Sequence, residues 1–225
     1  MSGRNAAPRS GERPAPPFTA GGPGEIVLRR LGQTDFVPTW RAMQRFTMER
    51  DAASADELWL TGHPPVYTQG QGGKPEHLLR DAGIPVVRID RGGQITYHGP
   101  GQAVAYLLVD LARRGLKVRD LVSRIEQAVI DLLAEYGLRG ERVAGAPGVY
   151  VGGAKIAALG LRVKNGCCYH GVALNVDMEL APYSAINPCG YPGLKVTQLR
   201  DLGVAVGWET AGEALLDQLK RQIRK

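Results

Sequence analysis

Two side chains of this chain are suited by type and setting to covalent chemistry. They are Cys189, in the loop sequence Asn187-Pro188-Cys189-Gly190, and Lys155, in Gly152-Gly153-Ala154-Lys155-Ile156. A thiol is a useful nucleophile only as its thiolate, and a nearby ammonium favours that form. A Cys/Lys pair brought together by folding is therefore an acyl-transfer device, although residue order alone leaves open whether the two meet. Each has an ordinary alternative: a strand lysine is commonly a surface residue, and a lone cysteine is commonly a small buried one. The small and apolar neighbours of Lys155, from Gly152 to Gly160, favour partial desolvation, which brings an ammonium's titration closer to neutrality. Pro188 and Gly190 mark the Cys189 segment as a loop rather than a packed strand.

A second chemically unusual stretch is Arg91-Gly92-Gly93-Gln94-Ile95-Thr96-Tyr97-His98-Gly99-Pro100-Gly101-Gln102. Its glycines permit close backbone approach to a ligand, and its Thr, Tyr, His and Gln are more polar than a routine turn needs. A decorated tight turn and a binding site are both compatible with it. It lacks the spacing of a dinucleotide fingerprint and the lysine of a phosphate-binding loop. His98 and His170 each follow a tyrosine and precede a glycine. Residue types thus allow a Cys-His thiol-protease arrangement, but no motif of that chemistry surrounds Cys189. Four histidines without an i, i+4 pair, and cysteines without ligand spacing, point to no metal site.

The elements that must position these residues read as follows. Residues 1–24 are rich in Pro, Gly, Ala and Arg, and predict a flexible tail. The catalytic body is expected over residues 25–225. Ile26-Val27-Leu28 predicts a strand, and Phe36, Val37, Trp40, Met43 and Phe46 recur at helical spacing. Short strands are expected at Leu58-Trp59-Leu60 and Val66-Tyr67, then over residues 85–90 and 103–110, the last two joined by the glycine-rich stretch. Leu121, Ile125, Val129, Leu132 and Leu133 form one face of a helix stopped at Gly137. Strand character returns around Val149, with a Gly152-Gly153 turn, and Asn165-Gly166 is a strong hairpin signal between two β-like runs. A final helix is expected over residues 209–223. Interleaved helices and strands predict one α/β (α+β) domain around a mixed, mostly antiparallel sheet with flanking helices.

Composition narrows the setting. The 225 residues, 44% hydrophobic, suffice for one core. No apolar run approaches the roughly 20 residues of a membrane span, and the N-terminus lacks a signal-peptide pattern, so the expected location is cytoplasmic. Three cysteines argue for free thiols rather than a disulfide framework. The net charge of +6 fits an acidic protein partner as readily as nucleic acid, and no basic stripe interleaved with aromatics or recognised nucleic-acid motif is present.

Taken together, these segments resemble the octanoyltransferases of lipoate biosynthesis, the lipoate-protein ligase B family. The matching stretches are His63-Pro64-Pro65-Val66-Tyr67-Thr68-Gln69-Gly70, the stretch over residues 91–102, Gly148-Val149-Tyr150-Val151, Lys155-Ile156-Ala157-Ala158-Leu159-Gly160, Tyr169-His170-Gly171-Val172-Ala173-Leu174-Asn175-Val176 and Ile186-Asn187-Pro188-Cys189-Gly190. The resemblance implies a biotin/lipoate protein ligase-like fold. It also implies transfer of an octanoyl group from octanoyl-acyl carrier protein to a lysine of lipoyl domains of 2-oxoacid dehydrogenases or the glycine-cleavage H protein, without a cofactor. By motif position, Cys189 is implied as the acyl-thioester nucleophile and Lys155 as the residue that lowers its pKa. Substrate contacts are implied at Arg91, Gly92, Gly93, Gln94, Ile95, Thr96, Tyr97 and His98, at Ala158, Leu159 and Gly160, and at Gly171, Val172 and Ala173.

Transthioesterification is nearly isoenergetic and amide formation is downhill, so an activated cysteine is sufficient for such a reaction. Backbone N–H groups near Gly190 or in the Gly92-Gly93 turn are the candidates for an oxyanion hole. An eight-carbon chain calls for an apolar tunnel closed at the right depth. Three alternatives stay open: an ATP-dependent lipoate or biotin protein ligase on the same fold, a non-catalytic acyl-carrier-binding module, and a thioester hydrolase.

Overall fold

The computed structural model describes residues 22–225. The expected tail lies outside the described residues except for its last three, where the Glu25 N–H donates to the Gly22 carbonyl at 3.1 Å and closes a turn. In chain order the elements are β1 (Ile26–Gln33), α1 (Phe36–Glu49), β2 (Asp56–Gly62), β3 (Val66–Gln69), β4 (Val86–Arg88), β5 (Ile95–His98), β6 (Gln102–Asp110), α2 (Val118–Glu135), β7 (Glu141–Val143), β8 (Ala146–Val151), β9 (Ala154–Lys164), β10 (Cys167–Asn175) and α3 (Trp208–Arg224). They form one seven-stranded sheet, ordered β1-β2-β6-β10-β9-β8-β7, and a smaller sheet ordered β4-β3-β5. In the large sheet only β1 and β2 pair in parallel, so the fold is the mixed, mostly antiparallel α/β type expected.

The apolar run of β6 explains the layering. Ala103, Ala105, Leu107 and Val109 join Leu121, Ile125, Leu132 and Leu133 of α2 and Leu215, Leu216 and Leu219 of α3 in the main core. Val104, Tyr106 and Leu108 point the other way, into a core with Ala42, Met43 and Phe46 of α1. Side chains alternate across a strand, so a run that is apolar at both parities must be covered on both faces. Burying one such leucine contributes about 1.5–3 kcal/mol, which is what holds the helices down. Cys168 packs in the main core, Cys167 is also buried, and both are free thiols.

Two local turns set the register on which the site depends. Asn165 and Gly166 take φ of 52° and 77°, as a two-residue hairpin requires, and join β9 to β10 with Cys167 opposite Lys164 and Ala173 opposite Ala158. Gly152 and Gly153, with φ of 56° and 79°, join β8 to β9.

The small sheet departs from the expectation. The stretch over residues 91–102 contains a strand, β5, which pairs antiparallel with β3 from Val66–His98 to Gln69–Ile95. The segment over residues 85–90 supplies only the three-residue edge strand β4, whose Val86 is exposed. Strand β7 was not anticipated either; its three residues are all exposed, so they carry no burial pattern.

Candidate active site

Lys155, the second residue of β9, is held through both its backbone groups. Its N–H donates to the Lys195 carbonyl at 2.8 Å, and its carbonyl accepts from the Thr197 N–H at 2.9 Å. Its side chain is only 3% exposed, so the ordinary surface lysine is not what the fold builds. The ammonium donates to the Pro147 carbonyl at 2.9 Å and lies 3.2 Å from Cys189 Sγ, with the Tyr150 ring 5.2 Å away. Gly148 makes this possible, because a methyl there would sit 3.0 Å from Lys155 Cε. Glu126 of α2 fixes that segment: one oxygen accepts the Gly148 N–H at 3.0 Å and the other pairs with Arg142 at 3.1 Å.

Cys189 lies in the short 3₁₀ turn Pro188–Gly190, with φ 57° and ψ 15°, a left-handed conformation that a side chain rarely adopts. The turn is tied to a separate segment: the Asn187 N–H donates to the His77 carbonyl at 2.8 Å, and Leu78 bridges Ile186. Beneath it lies a buried polar network. Gln102 donates to Asn175 at 2.9 Å, Asn175 donates to the Thr197 carbonyl at 2.9 Å, and Thr197 holds the Lys155 backbone. Tyr183 joins this network, and burial together with the facing Cys189 pushes its phenol well above the usual range.

The expectation that desolvation brings Lys155 toward neutrality is corrected here. Burial does act in that direction, but Cys189, through charge and a hydrogen bond, and Tyr150 outweigh it, and the Lys155 pKa is raised. Lysine in this site is an ammonium as long as a thiolate faces it. Two of the suggested oxyanion donors are engaged within the protein. The Gly190 N–H donates to the Asn187 carbonyl at 2.9 Å and the Gly92 N–H to the Leu161 carbonyl at 2.9 Å, so both are already occupied.

A cavity of about 160 Å³ runs from Cys189 between β10 and the small sheet. Of the residues singled out in the sequence, it gathers Cys189, Arg91, Gly93, Gln94, Thr96, His98, Ala158, Leu159, Gly160, Gly171, Val172 and Ala173. Ile95 and Tyr97 are not among its walls. They alternate to the other side of β5 and pack with Tyr67, Tyr183 and Ile186. Gly92 does not line it either; its carbonyl accepts from the Arg91 guanidinium at 2.9 Å.

Residues that sequence reading missed complete the walls, Phe36, Ile89, Val104, Tyr106, Pro147 and Tyr191, together with His170, noted there only as a possible partner of a thiol. Tyr106 and Val104 belong to a uniformly apolar strand, where nothing in the local pattern marks the parity that faces a ligand. Arg91 is buried without a carboxylate, donating to the Thr68 carbonyl at 2.7 Å and hydroxyl at 3.0 Å. Burial lowers its pKa to about 10, so it stays cationic at neutral pH. Burial also holds His98 neutral, its pKa lowered to about 3, with Gln102 on Nδ1 at 2.8 Å. A largely apolar trough lined by a thiol, with the Lys155 ammonium 3.2 Å behind that sulfur, is suited to holding an acyl chain by its carbonyl end.

Residues 36–220 match the lipoyl protein ligase A/B catalytic domain family. The chain is 65% identical to an octanoyltransferase of Aromatoleum aromaticum over 93% of this chain and 90% of that protein. It is 64% identical to an octanoyltransferase of Dechloromonas aromatica over 88% of this chain and 96% of that one. Among solved structures, a lipoate protein ligase of T. acidophilum with bound lipoic acid superposes with a TM-score of 0.70 at 17% identity, covering 88% of this chain and 86% of that one. A biotin protein ligase of Aquifex aeolicus in complex with biotin and ATP gives 0.55 at 11% identity, over 90% and 71%. At those identities the structural likeness speaks for the fold.

Proposed function

The chain belongs to the octanoyltransferases, within the lipoyl protein ligase A/B catalytic family, and is an acyltransferase; from that premise we propose a covalent mechanism centred on Cys189 and Lys155. The donor is octanoyl-acyl carrier protein, and the acceptor is a lysine of the lipoyl domains of 2-oxoacid dehydrogenases or of the glycine-cleavage H protein. The observation that carries the reading is the 3.2 Å contact between the buried Lys155 ammonium and the partly exposed Cys189 Sγ.

In the first half-reaction Cys189 Sγ attacks the thioester carbonyl. A carbon–sulfur bond to the enzyme forms, the bond to the carrier's thiol breaks, and the departing sulfur takes a proton from Lys155. The charge logic then inverts. Acylation removes the thiolate that raised the Lys155 pKa, while burial, which lowers it, remains. Lys155 is left as a neutral amine in a desolvated site, which is the state a general base requires. In the second half-reaction the acceptor amine attacks the enzyme thioester, Lys155 takes the amine's proton, and the Cys189 thiolate leaves facing a restored ammonium. One lysine thus serves as acid and then as base because its counter-ion comes and goes.

The cavity lining supports a substrate-binding role for Arg91, Gly93, Gln94, Thr96, His98, Ala158, Leu159, Gly160, Gly171, Val172 and Ala173. Residues 25–225 act as one catalytic unit. The excess of cationic residues suits encounter with acidic carrier and lipoyl domains, and turnover falls as salt rises if charge steers that encounter. The enzyme is read as cytoplasmic; among the described residues no helix is long and apolar enough to cross a membrane.

The test is the intact mass of the protein mixed with octanoyl-acyl carrier protein, with Cys189→Ser alongside. A gain of one octanoyl group that hydroxylamine removes and the variant lacks is the expected result. Transfer from free octanoate that requires ATP would replace this reading with the ligase one. Release of free octanoate in preference to amide would make the enzyme a hydrolase.

A further inference from the structure

The cavity is open at one end and closed at the other. Cys189 is partly exposed and Tyr191 is 42% exposed, whereas His170, Tyr106, Phe36, Arg91 and Ile89 are all buried. Between the two ends the walls are small and apolar, from Ala158, Gly160, Val172, Ala173 and Val104. Strand register places His170 relative to this small-walled stretch. Ala173 lies opposite Ala158, three residues along β9 from Lys155, and His170 lies opposite Leu161. Three strand steps at ~3.3 Å span about 10 Å. An extended eight-carbon chain, at ordinary carbon bond lengths and angles, reaches about 9 Å. The octanoyl length thus matches the stretch from the Ala158–Ala173 pair to His170.

His170 closes this end in an unusual way. Its φ of 66° is left-handed, although it is buried within β10 and is not a glycine. Neighbouring strand residues should point to opposite faces, yet the Tyr169 hydroxyl and His170 Nε2 both reach Asp90, and their rings stack at 5.0 Å. The left-handed turn is what puts His170 on the same face as Tyr169, and strain of this kind is kept where surroundings over-determine it. Asp90 is held in turn by α1: Trp40 Nε1 donates to it at 2.8 Å and Gln44 Nε2 at 3.0 Å. The other polar groups at this end are also tied within the protein, Tyr106 to His63 at 2.7 Å and Arg91 to Thr68. A longer chain could advance only by displacing a ring bonded to a fourfold-anchored carboxylate, or by stripping a guanidinium of its partners.

We propose that His170, clamped by Asp90, is the stop that sets acyl-chain length, a reading that rests on the acyl-enzyme function above. The wild-type enzyme loads octanoyl in preference to longer chains because the cavity ends at this ring. Removing the ring opens room for about two further methylenes.

The experiment compares loading of Cys189 from hexanoyl-, octanoyl-, decanoyl- and dodecanoyl-acyl carrier protein, read by intact mass, in wild type, His170→Gly and His170→Asn. Both replacements tolerate the left-handed backbone, and thermal melts check that they fold. The decanoyl-to-octanoyl loading ratio is expected to rise about tenfold in both. An unchanged ratio in folded variants that still load octanoyl overturns the proposal. If wild type forms no thioester with any donor, the covalent reading fails by itself. Calorimetric binding of free octanoic, decanoic and dodecanoic acids to the same proteins then decides the stop: a shift toward the longer acids in the variants supports it, and identical preferences reject it.

Discussion

Gly148→Ala tests whether the space around the Lys155 ammonium matters as the geometry requires. Gly148 has φ +132°, and a methyl there would lie 2.6 Å from the Ala157 carbonyl oxygen, 3.0 Å from Lys155 Cε and 3.2 Å from Nζ. Carbon contacts are comfortable at roughly 3.5–4 Å, so the lysine or the strand must yield by about 0.5–1 Å. Positive-φ strain of about 1–3 kcal/mol and overpacking of similar size add to a loss of about 3–4 kcal/mol. For a chain of this length that lowers the melting temperature by about 10 °C. Moving the ammonium off its 3.2 Å contact with Cys189 has a separate consequence, because a 1 Å misplacement is worth about 100-fold in rate. Single-turnover octanoyl loading should therefore slow by about 10- to 100-fold at a temperature where the variant is folded. Gly152→Ala is the control. It carries similar backbone strain, φ +56°, but a methyl there meets nothing within 4 Å, so it should lose about 1 kcal/mol of stability and load at the wild-type rate. Wild-type loading by Gly148→Ala would refute the claim that this glycine makes room for the lysine.

Lys155→Arg keeps a cation but cannot give up its proton near neutral pH, so loading, which needs that proton for the departing sulfur, and the acceptor step, which needs a neutral base, should both slow in single-turnover assays; a wild-type rate in either step would count against the acid-then-base role. Asn175→Ala leaves the Thr197 carbonyl and Gln102 without their buried partner and should cost about 2 kcal/mol in denaturant unfolding, with slower loading because Thr197 holds Lys155. His63 and His98 have pKa values lowered by burial to about 4 and about 3, below the unfolded value of 6.5. Unfolding therefore takes up protons below pH 6.5, and stability, full above that pH, falls by about 1.4 kcal/mol per unit per histidine as pH drops toward the folded values. Denaturant melts at pH 7.5 and 5.0 should differ by about 4 kcal/mol, and His63→Gln should roughly halve that difference. Asp90 adds to acid sensitivity at lower pH. Burial would raise its pKa, but bonds from His170, Tyr169, Gln44 and Trp40 hold it below the usual carboxylate range, so its contribution is lost as pH falls below about 4. A flat profile from pH 4 downward in otherwise folded protein would speak against that hub.

Much of this protein was determined within short stretches of its own chain. The Asn165-Gly166 turn and its flanking alternation specify the β9–β10 hairpin, because only residues that accept positive φ can make that turn. The periodicity of α2 and its glycine stop are equally local, and the Cys and Lys that could form a thioester machine are visible as residue types. Other features rest on contacts between distant segments. Strand β5 hides among glycines and polar residues because its partner β3 and its core residues Tyr183 and Ile186 lie elsewhere. The direction of the Lys155 pKa shift could not be read from apolar neighbours, since the thiolate facing it comes from position 189. His170 stands out in the sequence only as one of two Tyr-His-Gly histidines; its left-handed backbone and its place on the Asp90 hub, assembled from α1, β10 and the segment before Arg91, come from the fold. Local propensity acts over a few residues, whereas burial, counter-charges and cavity depth depend on what the fold brings alongside, and here those decide the chemistry.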